Sequence, residues 1–274
     1  MGYLFAQDYK ALIQVDSLSQ IIGQDTSLLT KAEQAAQAEI TSYLTQKYEL
    51  SKEFTDTVVW SNGTSYKAKN RVYLDAASYS ASATYALNSL ILNAGNVYRC
   101  STAVTAAEAF NAAKWTLLGP QYSLYYVSTP EHVWDYYAEY KVGDKVWYND
   151  KVYTATASSI ALNPSLTPEV WGSGTAYSVA AGTAPTDTSK WTAGDNRNQQ
   201  LVNYLVDVVL YHLHSRIAPR NIPELRVKRY DDVLWWLKNA AKGDSITAAI
   251  ETKQPNQGRR IRWGSKIPKQ DNSF

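Results

Sequence analysis

The stretch Gln199–Gly243 decides how this chain folds; it reads QQLVNYLVDVVLYHLHSRIAPRNIPELRVKRYDDVLWWLKNAAKG. Ten of the thirteen positions from Leu201 to Leu213 are apolar, which is more than a helix with one solvated face needs. Pro219 cannot continue this helix, and Pro223 suits the first turn of a second helix. The pattern predicts two linked helices, the first covered either by its own chain or by other subunits.

The helix boundaries are predicted from capping residues. Asn196 is expected to cap the first of these helices, and Gly243 is expected to end the second. Residues 1–57 also show helical spacing, with a long helix predicted from about Thr26 to about Tyr48. Both ends of the chain are therefore predicted to be helical.

The composition limits the class of protein. With 274 residues and a net charge of +2, the chain is not expected to coat nucleic acid, although a local basic patch is allowed. Its one cysteine, Cys100, excludes an internal disulfide framework. No signal peptide or membrane-spanning segment is predicted, because Asp207 interrupts the most apolar helix. We expect a soluble protein whose 21 Tyr and 9 Trp favour half-exposed surfaces and interfaces.

Residues 58–194 differ in composition from both ends of the chain, being rich in Ser, Thr, Ala, Asn, Gly, Tyr and Trp. Short strand-like runs alternate with turns, and the Asn62-Gly63 pair favours a two-residue hairpin. This segment is predicted to form small antiparallel β modules inserted between the helical ends.

An internal repeat divides the inserted segment. Two tyrosines 13 positions apart occur twice, as Tyr85 and Tyr98 and as Tyr140 and Tyr153, and a tryptophan follows each pair 17 or 18 positions later. The spacing predicts two modules, at about residues 79–119 and 137–174.

Two flanking pieces share parts of the repeat. Trp60–Tyr66 is interpreted as an echo of Trp147–Tyr153, and residues 183–192 end in Lys-Trp-Thr, as does the run to Thr116 in the first module. The insertion is therefore expected to hold two modules plus flanking pieces.

Residue types that can carry catalysis or bind metals are present, but not in a pattern that would use them. His212 and His214 point to different faces of a helix and are expected to be structural. Asp231 and Asp232 fit solvated helix positions, and Cys100 is expected to be inert. No phosphate-binding glycine loop, nucleophile motif or zinc spacing is found. We expect no catalytic residue, no metal site and no cofactor, and therefore no enzyme.

The modules resemble the small carbohydrate-binding modules attached to chitinases and cellulases. The second copy carries the pattern in a tyrosine, a turn, a strand and a final tryptophan: Tyr140, Gly143-Asp144-Lys145-Val146, Val152-Tyr153 and Trp171. The first copy departs from the turn sequence. The resemblance implies a sugar or protein contact through four tryptophans: Trp115, Trp147, Trp171 and Trp191. In modules this small, the same rings can instead form the core, which the scarcity of other large apolar residues favours.

The two helical ends, joined across the insertion, resemble the head-tail connector (adaptor) proteins of tailed bacteriophages. The resemblance lies in the order of five segments: SYLTQKY (Ser42–Tyr48), LVNYLVDVVLYHLHSRI (Leu201–Ile217), IPE (Ile222–Glu224), RYDDVLWWLKNAAKG (Arg229–Gly243) and RWGS (Arg262–Ser265). The inserted β modules depart from the compact form of that family.

This resemblance implies a ring, usually twelvefold, that lies below the portal protein and extends the DNA channel. Its partners would be further copies of the chain, the portal protein, the next connector or tail protein, and DNA that passes without sequence-specific contact. The protein would be made in the host cytoplasm and located in the virion neck, with no membrane contact.

Two sets of residues are expected to make the assembly contacts of such a ring. In the apolar helix, three residues are expected to contact a neighbouring subunit: Val209, Leu210 and Leu213. In the C-terminal tail, four are expected to contact a neighbouring subunit or the portal: Ile261, Arg262, Trp263 and Ile267.

The expected fold class is α+β, with a helical connector core formed by the N- and C-terminal helices and an inserted all-β region of two small repeated modules. The predicted core comprises residues 1–57 and 195–250, the β modules 58–194, and an extended tail 251–274. The alternative function is carbohydrate binding through the aromatic-rich modules. A third interpretation is a tail or host-attachment adaptor that holds other virion proteins.

Overall fold

The computed structural model describes residues 2–23, 25–217, 221–243, 250, 252 and 253. The helices in this part of the chain are α1 (Ala6–Lys10), α2 (Val15–Ile22), α3 (Thr26–Leu44), α4 (Leu50–Glu53), α5 (Pro168–Trp171), α6 (Gln199–Ile217) and α7 (Glu224–Lys242). Helices α3, α6 and α7 have 19 residues each. None of the described helices is both long and apolar enough to cross a membrane.

The strands among the described residues are short and form five separate sheets. They are β1 (Thr57–Val59), β2 (Tyr66–Lys67), β3 (Arg71–Tyr73), β4 (Leu90–Asn93), β5 (Asn96–Cys100), β6 (Trp115–Pro120), β7 (Leu124–Val127), β8 (Glu139–Tyr140), β9 (Lys145–Tyr148), β10 (Lys151–Thr154), β11 (Ser159–Ile160), β12 (Thr175–Ala176), β13 (Ser178–Val179) and β14 (Trp191–Ala193). The sheets have the strand orders β1-β3-β7-β14, β12-β10-β9, β11-β8, β13-β2 and β4-β5-β6. Strands β1 and β3 pair in parallel.

The predicted fold class is wrong. An α+β mixture is present, but small scattered strands make the described chain β-rich, and the expected arrangement of a helical connector core carrying two β modules is not observed. The four-stranded sheet joins β1 and β3, from the start of the β region, to β14 at its end. The pieces expected only to flank two modules therefore form a third, whose buried cluster also includes Val97 and Leu118.

Helices α3, α6 and α7 pack on one another and contribute to one cluster of buried side chains. Helix α6 is capped by Asn198, whose Oδ1 atom accepts hydrogen bonds from two backbone N–H groups of the first turn at 3.0 and 3.1 Å. The predicted cap, Asn196, instead accepts a hydrogen bond from Arg71. Gly243 ends α7 in the left-handed conformation, with φ of 92°, which confirms that boundary.

The β region contains three copies of one module, marked by the same hydrogen bond. In each copy, a tyrosine hydroxyl oxygen accepts a hydrogen bond from the backbone N–H of the residue five positions earlier. The pairs are Ser61 and Tyr66 at 2.8 Å, Ser80 and Tyr85 at 2.8 Å, and Asp135 and Tyr140 at 2.7 Å. Relative to the first copy, equivalent positions therefore lie 19 residues later (66 to 85) and 74 residues later (66 to 140).

The same offsets hold beyond the tyrosine. A residue in the left-handed conformation follows in each copy: Lys69 (φ 66°), Asn88 (φ 68°) and Gly143 (φ 94°). Three positions later comes a buried strand residue: Val72, Ile91 and Val146. A shared backbone geometry with different side chains shows that the three copies are one fold, although only the second and third stand out in the sequence.

One of the three copies is discontinuous. This split module is formed by residues 57–74, 122–128 and 177–194, which pair through β1, β3, β7 and β14 and through β2 and β13. The first inserted module, residues 76–120, interrupts the hairpin between β3 and β7, where the backbone N–H of Leu74 still donates to the carbonyl oxygen of Ser123 at 3.0 Å. The second inserted module, residues 131–176, follows β7. Both inserted modules are thus attached to the split module.

The predicted correspondence between Trp60–Tyr66 and Trp147–Tyr153 is wrong. Asn62-Gly63 lies in a loop closed by the Tyr66 hydroxyl, and the strand that follows pairs with β13 instead of forming a two-residue hairpin. Trp60–Tyr66 corresponds to Trp134–Tyr140. The misassignment arises because both candidate segments have a tryptophan six positions before a tyrosine.

A buried ionic network centred on Arg197 joins the N-terminus to the start of α6. The guanidinium group of Arg197 lies 2.7 Å from carboxylate oxygens of both Asp8 and Asp195. Burial opposes the charge of Arg197, but hydrogen bonds and charges of the two carboxylates outweigh it and raise its pKa. The centroid of the Phe5 ring lies 5.0 Å from the guanidinium carbon of Arg197. This network holds the entry to α6 against α1.

A second arginine attaches the split module to the helices. The Arg71 guanidinium donates hydrogen bonds to the carbonyl oxygens of Glu53 and Thr55, at 2.7 and 3.1 Å, and to Asn196 Oδ1 at 2.7 Å. Burial lowers the pKa of Arg71, an effect that Glu53 partly offsets. Because Arg71 belongs to β3, these bonds fix the four-stranded sheet to the end of α4 and the start of α6.

Candidate functional site

The helix residues predicted to contact a neighbouring subunit are buried within the chain. Val209 and Leu210 are 0% exposed and Leu213 is 3% exposed, in the cluster shared by α3, α6 and α7. The excess apolar surface of α6 is therefore covered by the chain's own helices. Any surface for a contact between subunits must come from other residues.

Three of the four tryptophans assigned to the modules lie in module cores. Trp191 belongs to the buried cluster of the split module, Trp115 to that of the first inserted module and Trp171 to that of the second. The indole N–H of Trp171 also donates to the carbonyl oxygen of Leu162 at 2.9 Å. These rings do not present a face to a sugar in this conformation.

Trp147 differs from the other three, because it is buried at the boundary between two modules. The ammonium group of Lys69, in the split module, lies 5.1 Å from the centroid of the Trp147 ring. Lys67 and Asp150 form an ion pair across the same boundary, 3.5 Å apart. A cavity of about 400 Å³ lies at this junction and is also lined by Ser51 of α4 and by Thr55. Trp147 thus makes a protein contact, but one inside its own chain.

The predicted tail contacts, Ile261, Arg262, Trp263 and Ile267, lie outside the described residues. Three described residues before them, at positions 250, 252 and 253, contact the helical part of the chain. Ile250 is buried in the helical cluster, and Thr252 pairs with Tyr48. The backbone N–H of Lys253 donates to the carbonyl oxygen of Lys47 at 2.8 Å. Thr252 and Lys253 therefore lie beside the residues that follow α3.

An exposed tryptophan on α7 is the surface feature that the sequence analysis missed. Trp235 is 65% exposed, whereas its neighbour Trp236 is 3% exposed and belongs to the helical cluster. Exposed charged residues lie one or two turns from Trp235: Asp231, Asp232, Lys238 and Lys242. An aromatic side chain with a charged rim is the composition of a protein-contact surface.

The sequence does contain the signal that separates these two tryptophans. Trp236 continues the helical spacing of Val233, Leu237 and Ala240, all of which are buried. Adjacent residues lie about 100° apart around a helix, so Trp235 cannot share that face. Applied to both residues, this rule identifies Trp235 as the exposed one.

Polar clusters between the long helices hold them in register. The Tyr230 hydroxyl donates to Glu39 Oε1 at 2.5 Å, and His212 Nε2 lies 3.0 Å from Glu39 Oε2. Burial and the Glu39 carboxylate raise the pKa of Tyr230, because both disfavour the tyrosinate anion. The ring of Tyr211 stacks on that of Tyr230, with centroids 4.0 Å apart. These contacts link α3, α6 and α7, and the Tyr230 hydroxyl uses its proton in the hydrogen bond to Glu39.

Asp207, the charged residue within the apolar helix, is paired with arginines of α7. Its Oδ1 atom lies 3.2 Å from Arg229 and 3.7 Å from Arg226. Burial raises the pKa of Asp207, partly offset by these arginines. Within the described residues, no group of three or more His, Cys, Asp or Glu side chains could hold a metal ion.

Comparison with known proteins assigns this chain to no family. The chain matches no model of a protein family, and a search of curated proteins finds no match either.

Proposed function

We propose that this chain is a structural virion protein, a head-tail connector whose copies form a ring below the portal, extend the DNA channel and join the head to the tail. The proposal starts from the order of segments from SYLTQKY to RWGS. The β modules are peripheral decorations of the ring in this proposal, and the portal and the next neck or tail protein are the partners.

The observation that supports it is the exposure of Trp235. This residue lies in RYDDVLWWLKNAAKG, one of the five segments whose order carries the resemblance, and its side chain is outside the core that Trp236 fills. An exposed tryptophan surrounded by charges matches the centre of a protein contact, where aromatic anchors contribute most of the binding energy. The outer face of α7 is therefore the proposed contact surface between subunits.

The test compares two exposed aromatic residues on different parts of the chain. Trp235→Ala removes the proposed anchor, and Tyr137→Ala is the matched control, since Tyr137 is 74% exposed on the second inserted module. Each full-length variant is mixed with the portal protein of the same phage, and its mass is followed by native mass spectrometry and negative-stain microscopy. We expect rings with the unaltered chain and with Tyr137→Ala, and monomers with Trp235→Ala at unchanged helix content.

Two outcomes would contradict the proposal at different levels. If Trp235→Ala assembles like the unaltered chain, the outer face of α7 is not the contact surface. If the unaltered chain forms no ring with or without portal protein, and instead binds a glycan on an array, carbohydrate binding replaces the connector function.

A further inference from the structure

The three copies of the module use one equivalent strand position in different ways. Arg71, Leu90 and Lys145 are related by the offsets of 19 and 74 residues. Each immediately precedes a buried strand residue, so its side chain is on the opposite face of the strand. In two of the copies this back face is covered by another part of the chain.

In the split module, the back face is attached to the helices. Thr57 and Arg71 are neighbours on paired strands and are 6% and 4% exposed. Arg71 donates to the carbonyl oxygens of Glu53, the last residue of α4, and of Thr55, as described above. The occupant of this face is therefore a stretch of backbone with the carboxylate of Glu53 beside it.

In the first inserted module, the equivalent residues are Ala76 and Leu90, and both pack against the buried cluster of the split module. Val97 of the same module is buried in that cluster. The contacts on this face are apolar here and polar or ionic in the split module, but in both modules another part of the chain covers the face.

In the second inserted module, half of this face is open. Trp147 is covered by the split module, but Lys145 is exposed and Glu131, the equivalent of Thr57, is only partly buried. They line an open groove of about 630 Å³ together with Val133, Asp135, Glu139 and Asp144. The groove thus lies where the other two copies have a bound protein segment.

The charges in the groove indicate what would occupy it. Four carboxylates line it against the single ammonium group of Lys145. Residues 254–274 carry five Lys and Arg and one Asp, with Ile261 and Trp263 among the basic residues. We infer that this groove is the docking site for residues 254–274 of this chain, held by charge and by contact of an apolar side chain with Val133.

The length of the segment sets how far it can extend from the helices. Lys253 is held beside Lys47, and 21 residues follow it. At a maximum of about 3.3 to 3.6 Å per residue, they span up to about 70 Å. The inference does not depend on the proposed ring, because either source of the segment satisfies it.

Zero-length carbodiimide cross-linking of the full chain tests the inference, since this reagent joins a lysine amine to a carboxylate only when the two are in contact. We expect Lys266 and Lys269 to cross-link to groove carboxylates. The test variant is Glu131→Lys with Glu139→Lys, because Asp135 and Asp144 accept backbone hydrogen bonds within the module and should stay. Glu169→Lys is the control, an exposed carboxylate of the same module outside the groove.

The cross-links counted are those that join Lys266 or Lys269 to Asp135 or Asp144. We expect their yield to drop roughly tenfold in the double variant, with no comparable drop in the control. The yield should also fall with added salt, which screens charge contacts. A mixture of light and heavy isotope copies shows whether the segment comes from the same chain or another. Cross-links spread evenly over surface carboxylates, or unaffected by the double variant, would overturn the inference. Loss of ring formation alone would not affect it.

Discussion

The Lys69 ammonium group lies 5.1 Å from the centroid of the Trp147 ring, and this contact joins the second inserted module to the split module. Trp147 is not part of the buried cluster of its own module, which contains Trp134, Val146 and Trp171. Its burial therefore depends on the neighbouring module, and the two tryptophans Trp147 and Trp171 should respond differently to truncation.

Trp147→Ala should separate the second inserted module from the rest of the chain without unfolding it. Loss of the Trp147 side chain removes its contact with Lys69 and its buried surface at the boundary, so calorimetry should show an additional unfolding transition at lower temperature. Trp171→Ala should instead destabilise the module itself, by about 3 to 5 kcal/mol, because a cavity remains in its core. If Trp147→Ala instead shows one unfolding transition, lowered in temperature as much as that of Trp171→Ala, then both tryptophan side chains belong to one core.

Asp195→Asn should weaken the Arg197 network in a pH-dependent way. Burial raises the pKa of Asp195, but hydrogen bonds from Arg197 outweigh this effect, and the pKa in the folded chain is lowered. A lowered folded pKa means that the ionised carboxylate contributes stability above its unfolded pKa, near pH 4, and loses it as the pH falls through the folded pKa.

The variant should be less stable than the unaltered chain by about 1 to 3 kcal/mol at neutral pH. The difference should shrink below about pH 4. Urea unfolding at several pH values measures both quantities, with exposed Asp16→Asn as the control. A stability difference that does not change with pH would show that Asp195 acts by shape and not by charge.

Val209→Asp should prevent folding of the long helices instead of only blocking assembly. Val209 is fully buried in the single chain, so the new carboxylate would be desolvated without a partner, at a cost of several kcal/mol. Circular dichroism should show lost helix content before any oligomer is tested. Val15→Asp is the matched control, since Val15 is 54% exposed on α2. If the Val209→Asp chain folds but stays monomeric, then α6 contacts a neighbouring subunit and this prediction is wrong.

Replacing residues 131–176 with a short Gly-Ser linker should leave the remaining chain folded. The second inserted module has its own buried cluster and contacts the split module through side chains such as Trp147 and Asp150. The free energy of unfolding of the rest should change little, whereas deletion of residues 76–120 should destabilise it, because Val97 and Leu118 belong to the split module's cluster. Equal loss of stability from both deletions would contradict this difference, which urea unfolding can measure.

Local signals determined some ends of the long helices, but not the start of α6, where Asn198 and not the predicted Asn196 is the cap, nor the end of α3, which lies at Leu44 and not near Tyr48. The start of α3 near Thr26, the break between α6 and α7 at Pro219 and Pro223, and the stop at Gly243 depend on residues within one turn of each boundary. The Tyr-to-Tyr spacing likewise identified two modules, because each lies in one continuous stretch of sequence.

Only the tertiary structure decided the third module and the role of the apolar helix. Strands β3 and β7 are neighbours separated by a complete inserted module, so no local pattern marks their pairing. The apolar face from Leu201 to Leu213 predicted burial, but the same pattern suits a core or a subunit contact; α3 and α7 decide between them by covering it. The spacing of apolar residues predicts that a helix face is buried. The element that buries it depends on contacts between residues far apart in the chain, which no local pattern shows.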